Sequence, residues 1–468
     1  MESQSTDVEV KTKEQYVAIV RKKMVSAIAD LHDTTTLPTD DNTNSMAELI
    51  VDSMSTPSRV YHSMQHILDI MEDIAADGDE HPIPVLAALF HDVIYLNVDR
   101  DLSTAQVEIL SNILVQDTDA SKPLALHIPV VDPSIDMVRL LFGFDLRPGQ
   151  GYNEYISALL AVRVLSPFLS LKHLIQLTAC IEASVPFRSV TDGSTPMERL
   201  HERLVHTNRE CGAGLSEQEL VDTVHMAAFF SNCDLGSFCQ KDPSVFLNNT
   251  WKLLPEWKPA LLSESCRLQD LYDAFLLLQE RYHQTDVELI FQHFRGFPVA
   301  SDLEDMRQRA RENLSVVGEY ISIRLLQMRV LLDLLQVATN DPEQAIATTT
   351  INAFTFLRQV DARIDQPSTA RPNQLSDESC WNDQVYIFLT QGRQLAFDWD
   401  AAASPLSAFL YTQLSSHSAV ALGNRMSNYN DGVIAFLPAS TMNQLAVSLS
   451  DALPEFATEW KALVCPSD

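Results

Sequence analysis

The strongest constraint in this sequence is a segment, Ile83 to Tyr95, that is almost entirely apolar but contains a histidine and an aspartate. An apolar segment with a helical pattern is normally buried on all sides. Aspartate is seldom buried without a partner, because burying an unpaired carboxylate costs several kcal/mol. We therefore expect His91 and Asp92 to lie against a cation. Imidazole and carboxylate oxygen together are suitable ligands for a divalent metal.

A second pair of histidines precedes this segment in the stretch RVYHSMQHILDI. His62 and His66 are four residues apart, so on a helix they would share one face. Apolar residues continue the same helical pattern after His66. We therefore predict that one helix carries both histidines and that His66 joins His91 and Asp92 around one ion.

A fourth ligand is expected far downstream, in the stretch HMAAFFSNCDLGSF. Asp234 ends an apolar helical run that begins near Leu220, so it presents the same burial problem as Asp92. The predicted metal ligands are therefore His66, His91, Asp92 and Asp234. The ion itself could be manganese, magnesium, zinc, iron or nickel, because the sequence does not fix its identity.

In this order, the motifs resemble those of the HD superfamily of metal-dependent phosphohydrolases. YHSMQHI is similar to the YHNxxH element that cyclic nucleotide phosphodiesterases share with a group of small HD hydrolases. FHDVIY and DRDLSTA are similar to the FHDxVY and DNExxSA elements of that second group, and SNCDLGSF resembles the ADLS or DADL element of both. The resemblance implies an HD-type helical core, the four metal ligands named above, and a role for His62 in protonating the leaving oxygen. His62 and Asp92 are thus the predicted catalytic residues.

The sequence departs from the family at two places. The additional histidines expected after the His-Asp pair are not found, and Glu182 stands where one of them would be. The DNE element is replaced by Asp99-Arg100-Asp101. The number of ions and the substrate class are therefore left open.

Several further residues are candidates for contacting the substrate or supporting the ligands. Glu182 could bind a second ion, orient a ligand or pair with Arg188. Arg188, Arg59 and Arg163 could each hold a phosphate group in bidentate fashion, or form an ordinary salt bridge. Tyr95 flanks the histidines and could contact the substrate or pack in the core.

The composition favours an all-α fold. The 468 residues include only 13 glycines, while leucine, alanine, glutamine and glutamate occur in periodic blocks. We predict a polar N-terminal segment and helix over residues 1–44, an HD-type metal-binding helical domain over 45–340, and a C-terminal helical region over 341–468. A linker is expected at residues 365–379, which read DQPSTARPNQLSDES.

Charge and cysteine content restrict the partners and the compartment. Acidic residues outnumber basic ones by 63 to 33, and the net charge of −30 repels phosphate backbones. We therefore expect a small phosphorylated molecule as partner, rather than a long nucleic acid. The sequence contains no apolar run long enough for a membrane span and no apolar signal core near its start, and its seven cysteines show no CxxC spacing. A cytoplasmic protein is predicted, and a homo-oligomer is left open.

Three functions remain in consideration. The leading one is a metal-dependent hydrolase of a small phosphate ester, with nucleotides and cyclic nucleotides among the candidates. The second is a non-catalytic helical scaffold or ligand sensor that retains the HD metal site. The third is an HD-type di-iron oxygenase, which would require more histidines than the sequence offers.

Overall fold

The computed structural model of the chain describes residues 11–31, 36–76, 78, 81–99, 101–111, 113–115, 125–126, 132–143, 151–339, 352–364, 381–395, 400–414, 420–423, 433–452, 458 and 460. Helices dominate these residues, which confirms the predicted all-α fold class. A two-residue antiparallel pair joins Leu114–Val115 to Ala125–Leu126. The predicted linker at 365–379 lies outside the described residues.

The chain divides into two compact units. The first comprises Met1–Gly236 and Asp286–Arg307, and the second comprises Ser237–Thr285 and Gln308–Asp468. This division does not coincide with the boundaries predicted after residues 44 and 340. The N-terminal helix shares the core of the first unit, and most of the long helix that precedes residue 340 belongs to the core of the second.

The helices of the first unit follow one another as α1 (Lys13–Asp30), α2 (Asp40–Met54), α3 (Met64–Ala76), α4 (Pro82–Phe90), α5 (Leu96–Asp99), α6 (Thr104–Leu110), α7 (Pro133–Phe142), α8 (Tyr152–Leu165), α9 (Leu171–Ala183), α10 (Pro196–Cys211) and α11 (Glu217–Asp234). Most of them begin at a Ser, Thr or Asp whose side chain accepts a hydrogen bond from the first turn. A short 3₁₀ helix, Val287–Leu289, also belongs to this unit.

Helix α9 is central in the first unit. It packs against α4, α7, α8, α10 and α11, and every residue from Leu177 to Ala183 is buried. Helix α3 packs against α4 and α11, and α4 also packs against α11. The C-terminal ends of α4 and α11 and the start of α3 therefore belong to one packed group of helices, and these are the places where the predicted ligands lie.

The second unit contains α12 (Pro243–Trp257), α13 (Leu268–Gln284), most of α14 (Ala300–Thr339), α15 (Ala353–Asp361), α16 (Asp383–Gln391), α17 (Pro405–Gln413), α18 (Ala439–Ala452), and 3₁₀ helices at Gly236–Cys239, Pro259–Leu262 and Ile434–Phe436. Helix α14 matches the long helix predicted from residue 302 to 338. Its residues through Arg307 are assigned to the first unit.

A buried ionic cluster lies in the core of the second unit. The Asp400 carboxylate is 3.2 Å from Arg324 Nη2 and 3.0 Å from Arg393 Nη2, and it accepts a 2.7 Å hydrogen bond from Trp251 Nε1. Arg393 also donates to the Tyr320 hydroxyl at 3.1 Å. All three ionised side chains are at most 4% exposed, so the Asp400 carboxylate is balanced inside the core by the two guanidinium groups rather than by water.

No helix within the described ranges is both long and apolar enough to cross a bilayer. Five of the seven cysteines lie in the described part of the chain, and none of them forms a disulfide there: Cys180, Cys211, Cys233, Cys239 and Cys266. The remaining two, Cys380 and Cys465, lie outside it.

Candidate metal centre

The His-Asp pair lies at the end of a buried helix rather than inside it. Helix α4 ends at Phe90, five residues before the predicted end at Tyr95, and His91 and Asp92 follow in a turn. His91 is 1% exposed and Asp92 is 8% exposed. The prediction that a carboxylate is buried here is therefore correct.

His62 and His66 do not share a helix, contrary to the prediction. Helix α3 begins at Met64, so His66 lies in its first turn and His62 in the bend before it. The backbone N–H of Ser63 donates to the Tyr61 carbonyl at 2.7 Å, which is a turn rather than a helical bond. The two imidazole rings are nevertheless 5.8 Å apart between centroids, so both histidines border the same site.

The structure brings the four predicted ligands together. His66 Nε2 is 3.1 Å from Asp234 Oδ1 and 3.8 Å from Asp92 Oδ2. His91 Nε2 is 3.1 Å from Asp92 Oδ2 and 3.6 Å from Asp234 Oδ1. His66, His91 and Asp92 form a compact group of potential ligand atoms, and Asp234, the last residue of α11, approaches both imidazoles.

These separations suit a single ion. Ligand atoms bound about 2.1 Å from a metal lie about 3.0 Å apart at octahedral angles and about 3.4 Å apart at tetrahedral angles. Two of the four separations, both 3.1 Å, lie within this range, and the other two, 3.6 and 3.8 Å, are somewhat longer. A cation therefore fits among the four side chains with only small movements of their ends.

The orientation of His91 also fits a metal ligand. Its Nδ1 lies 3.1 Å from the Ala88 carbonyl oxygen, which can only accept, so Nδ1 carries the hydrogen. Its Nε2 is buried and has no hydrogen-bond partner with acceptable geometry in the described part of the chain. The Phe230 ring packs at 5.5 Å from the imidazole centroid. Helix α4 thus presents the lone pair of Nε2 to the carboxylates, as a cation between them would require.

The protonation energetics show the same need for positive charge. Burial alone would raise the pKa of Asp92, but His91, His62 and His66 hold this pKa well below its usual range. Burial likewise opposes ionisation of Asp234, yet the nearby His66 and His91 imidazoles lower its pKa to about 2. For His91, burial lowers the pKa and the two carboxylates raise it, with a net increase well above the ordinary value. Without metal, a proton on imidazole supplies the charge that a cation would otherwise provide.

The Arg59 side chain binds the backbone of the His-Asp turn and is not free to contact a substrate. It is 5% exposed, its Nε lies 3.0 Å from Asp99 Oδ1, and its Nη1 donates to the Asp92 carbonyl oxygen at 2.6 Å. Its Nη2 donates to the Val93 carbonyl oxygen and to the Asp99 carboxylate. All nitrogens of this guanidinium have partners, so Arg59 positions the backbone of the His-Asp turn and is not available to hold a phosphate.

Glu182 and Arg188 pair with each other. Glu182 is 2% exposed and forms ion pairs with both Arg188 and Arg203. Of the three roles considered for Glu182, the structure favours the salt bridge, because its carboxylate already balances two guanidinium groups. Arg163 similarly pairs with Asp132 at 2.7 Å.

Two tyrosines border the histidines. The Tyr95 ring is 4.3 Å from the His62 ring between centroids, and the Arg59 guanidinium lies 5.8 Å from the Tyr95 ring. Tyr61 is 4.8 Å from His66 by the same measure. His62, Tyr61 and Tyr95 are half-buried, so they form a partly accessible edge of the site.

Glu154 is a site residue that sequence reasoning missed. It lies in the first turn of α8 and is half-buried. Burial raises its pKa to about 7, and the nearby Asp92 and Asp234 carboxylates add to the increase. An acidic residue in the first turn of a helix is ordinarily explained by the helix dipole, so no local pattern distinguished Glu154 from a surface residue.

No protein-family model, no curated protein and no solved structure matches this chain. The resemblance to HD phosphohydrolases therefore rests on the quoted motifs and on the convergence of the residues that those motifs contain.

Proposed function

We propose that the protein is a metal-dependent hydrolase of a small phosphate ester, of the HD type. The observation that carries the proposal is the meeting of two histidines and two aspartates around His91 Nε2, a buried atom that has no hydrogen-bond partner among the described residues. These side chains come from the start of α3 and the ends of α4 and α11, which are far apart in the chain. A buried His₂Asp₂ group of this kind is a ligand set for divalent metals, with Mn, Mg, Zn, Fe and Ni as candidates.

Some of these residues would bind the ion, and His62 would transfer a proton. His66, His91, Asp92 and Asp234 would hold the ion, whose bound form supplies Lewis-acid polarisation of a phosphoryl oxygen and activates water. His62 lies on the accessible edge of the site, near His66 and Tyr95. In this position it would give a proton to the leaving oxygen as the bond from phosphorus to that oxygen breaks.

The substrate is proposed to be small because of the charge of the whole chain. A net charge of −30 repels a long phosphate backbone, whereas one phosphate group can still be drawn to a site that contains a divalent ion. Nucleotides and cyclic nucleotides are small phosphate esters of this kind and are therefore included among the substrates to be tested.

The test is hydrolysis of p-nitrophenyl phosphates, nucleoside phosphates and cyclic nucleotides in the presence of Mn²⁺, Mg²⁺, Ni²⁺ or Fe²⁺. Asp92→Ala should abolish both metal binding and turnover. Asp234→Asn should weaken both strongly, while Asp222→Asn, an exposed change on the same helix, should alter neither. Retained turnover in Asp92→Ala would refute the scheme.

The same experiments separate the alternatives. Metal binding without turnover of any substrate would favour a scaffold or ligand sensor. Two irons per chain in protein purified without added metal would favour an oxygenase. The pairing of Glu182 with two arginines supports neither a second ion at that position nor the oxygenase reading.

A further inference from the structure

Three arginines lie together where the loop after α9 leads into α10. Arg188 belongs to that loop, whereas Arg199 and Arg203 are four residues apart on α10 and so share one side of the helix. Arg188 Nη1 and Arg203 Nη2 both donate to the same oxygen, Oε1 of Glu182. Arg199 Nη2 donates to the carbonyl oxygen of Ser189, the neighbour of Arg188, at 2.9 Å. These contacts hold Arg188, Arg199 and Arg203 in one group, the arginine cluster.

Positive charge in the arginine cluster exceeds the negative charge beside it. The buried Glu182 carboxylate is shared by two of the three guanidinium groups. The exposed Glu198 carboxylate is also near, but it already accepts a hydrogen bond from the Thr195 backbone N–H at 2.6 Å. Burial and the other two guanidinium groups lower the pKa of Arg199 in spite of both acids. Three guanidinium groups against two carboxylates leave a surplus of one positive charge, in a chain whose net charge is −30.

The arginine cluster also keeps hydrogen-bond donors that no described residue uses. Arg188 donates to Glu182 through both Nη atoms, while its buried Nε has no acceptor in the described part of the chain. Arg203 donates through Nε to the Leu141 carbonyl oxygen and through Nη2 to Glu182, so within the described ranges its Nη1 has no acceptor. Arg199 donates through both Nη atoms to backbone carbonyl oxygens of the loop, at 2.5 and 2.9 Å. Where the protein offers a buried donor no acceptor, a water or an ion is the expected partner.

The arginine cluster is both accessible and held in place. The Arg188 and Arg203 side chains are 20% and 24% exposed, and Arg199 is half-buried. A ligand can therefore reach the guanidinium groups from solvent, while partial burial screens their charge less than full exposure would. Their contacts with Glu182 and with backbone carbonyl oxygens fix the planar groups before a ligand arrives, which favours binding of an oxyanion. None of the three belongs to the group of potential metal ligands.

We propose that the arginine cluster binds a small oxyanion, either a phosphate ion or the phosphate group of a small molecule, at a site formed by residues other than the metal ligands. A phosphate group offers several acceptor oxygens to the unused donors, and its charge offsets the positive surplus. A long phosphate backbone does not suit the site, because the charge of the whole chain repels it. The proposal does not depend on the hydrolase function.

The experiment titrates the full-length protein with inorganic phosphate and with methyl phosphate in the presence of EDTA, so that no ion at the metal centre competes. Arg199→Gln is the main variant, because Arg199 does not pair with Glu182 and the buried ion pairs stay intact. We expect its Kd to rise about tenfold or more, since a charged donor is lost. Arg199→Lys keeps the charge but not the fork, and its Kd should rise about threefold. Arg209→Gln, on the same helix and 71% exposed, should match wild type.

Hydrogen exchange locates the bound anion. Phosphate should slow exchange in peptides that cover residues 186–205 and leave residues 62–68 and 228–236 unchanged. Methyl phosphate binding as tightly as phosphate assigns the site to the phosphate group of a small molecule, and binding of inorganic phosphate alone assigns it to the free ion. Both results support the proposal.

Three results would overturn it. The first is no binding to wild type at about 20 mM phosphate, or an equal effect of chloride at the same ionic strength. The second is a wild-type Kd in folded Arg199→Gln; should that variant fail to fold, a wild-type Kd in Arg199→Lys has the same meaning. The third is protection that appears only in peptides outside residues 186–205, because the anion then binds elsewhere.

Discussion

Some side chains at the site are proposed to bind the ion, and others hold the neighbouring chain in place. Arg59 is the clearest example of the second kind, because its guanidinium joins the Asp99 carboxylate to the backbone of Asp92 and Val93. Planar, forked geometry allows one side chain to reach all three partners. Glu182 is positioned in a comparable way by Arg188 and Arg203. Neither residue's polar atoms are available for a substrate, although the sequence alone left that role open.

Replacing Arg59 should lower stability and metal affinity together. Arg59→Ala leaves the Asp99 carboxylate and the Asp92 carbonyl without their partner, and we expect a loss of about 3–5 kcal/mol of unfolding free energy. Arg59→Lys keeps the charge but not the fork, so we expect an intermediate loss. Metal affinity should fall by about 10- to 100-fold in the alanine variant, because the turn that carries Asp92 loses its anchor.

Urea unfolding of the metal-free protein and Mn²⁺ calorimetry measure these two effects. Arg209→Ala is the matched control, since the Arg209 side chain is 71% exposed, and it should stay within about 0.5 kcal/mol of wild type. Wild-type stability and affinity in Arg59→Ala would show that the contacts of Arg59 do not position the site.

Glu182→Gln should separate a structural role from a metal-binding one. The change leaves two half-buried guanidinium groups facing a neutral amide, so we expect about 2–4 kcal/mol of destabilisation. Mn²⁺ affinity and the number of ions bound should remain those of wild type under conditions in which the variant is folded. Loss of an ion from Glu182→Gln would revive the alternative in which Glu182 binds a second metal.

Among the secondary-structure elements, the ends of helices carry the proposed metal ligands. Asp92 follows the end of α4, Asp234 is the last residue of α11, and His66 lies at the start of α3. Apolar periodicity predicted that these helices exist and that they are buried. It did not predict that α4 ends at Phe90 or that α3 begins at Met64, because the apolar pattern continues past Phe90 and the histidine spacing begins before Met64.

The residues that the sequence revealed and those it missed differ in their local context. His66, His91, Asp92 and Asp234 were identifiable because each interrupts an apolar helical pattern. Glu154 was not, because an acid in a first helical turn has an ordinary local explanation. Its position depends on the packing of α8 against residues 94–96, which is a tertiary feature. The two-unit division was missed for the same reason, since it follows from which cores the helices share.

In the second unit, Asp361 at the end of α15 should make stability depend on pH. Its carboxylate accepts a 2.9 Å hydrogen bond from the Leu406 N–H at the start of α17, yet burial raises its pKa to about 6. The folded state therefore retains a proton that the unfolded state, with a pKa near 3.8, has lost. The stabilisation that this bound proton gives to the folded state is fully present below about pH 4 and is lost as the pH rises through about 6.

Asp361→Asn should remove this dependence, because an amide oxygen can accept the same hydrogen bond without a buried charge. We expect the variant to be about 1–2 kcal/mol more stable than wild type at pH 8, after allowance for partial exposure, and equal near pH 4. Urea unfolding across this pH range is the measurement. Glu264→Gln, an exposed change in the same unit, should leave the profile unchanged. A constant difference between Asp361→Asn and wild type at all pH values would contradict the explanation.

For the whole molecule, metal binding should act on the first unit, which contains all four proposed ligands. At a free Mn²⁺ concentration 100 times the Kd, binding should stabilise the folded state by about 2.7 kcal/mol. Hydrogen exchange should therefore slow in peptides that cover residues 62–68, 86–96 and 228–236. Asp234→Asn should lose this protection. No change in those peptides for the wild type would show that the ion does not bind there.

The central claim is that His66, His91, Asp92 and Asp234 bind one divalent ion. An anomalous difference map from crystals grown with Zn²⁺ tests it directly. The account predicts a peak about 2.0–2.2 Å from Nε2 of both histidines and from one oxygen of each aspartate. No peak among these four side chains, or a peak bound by other residues while this group remains free of metal, would contradict it.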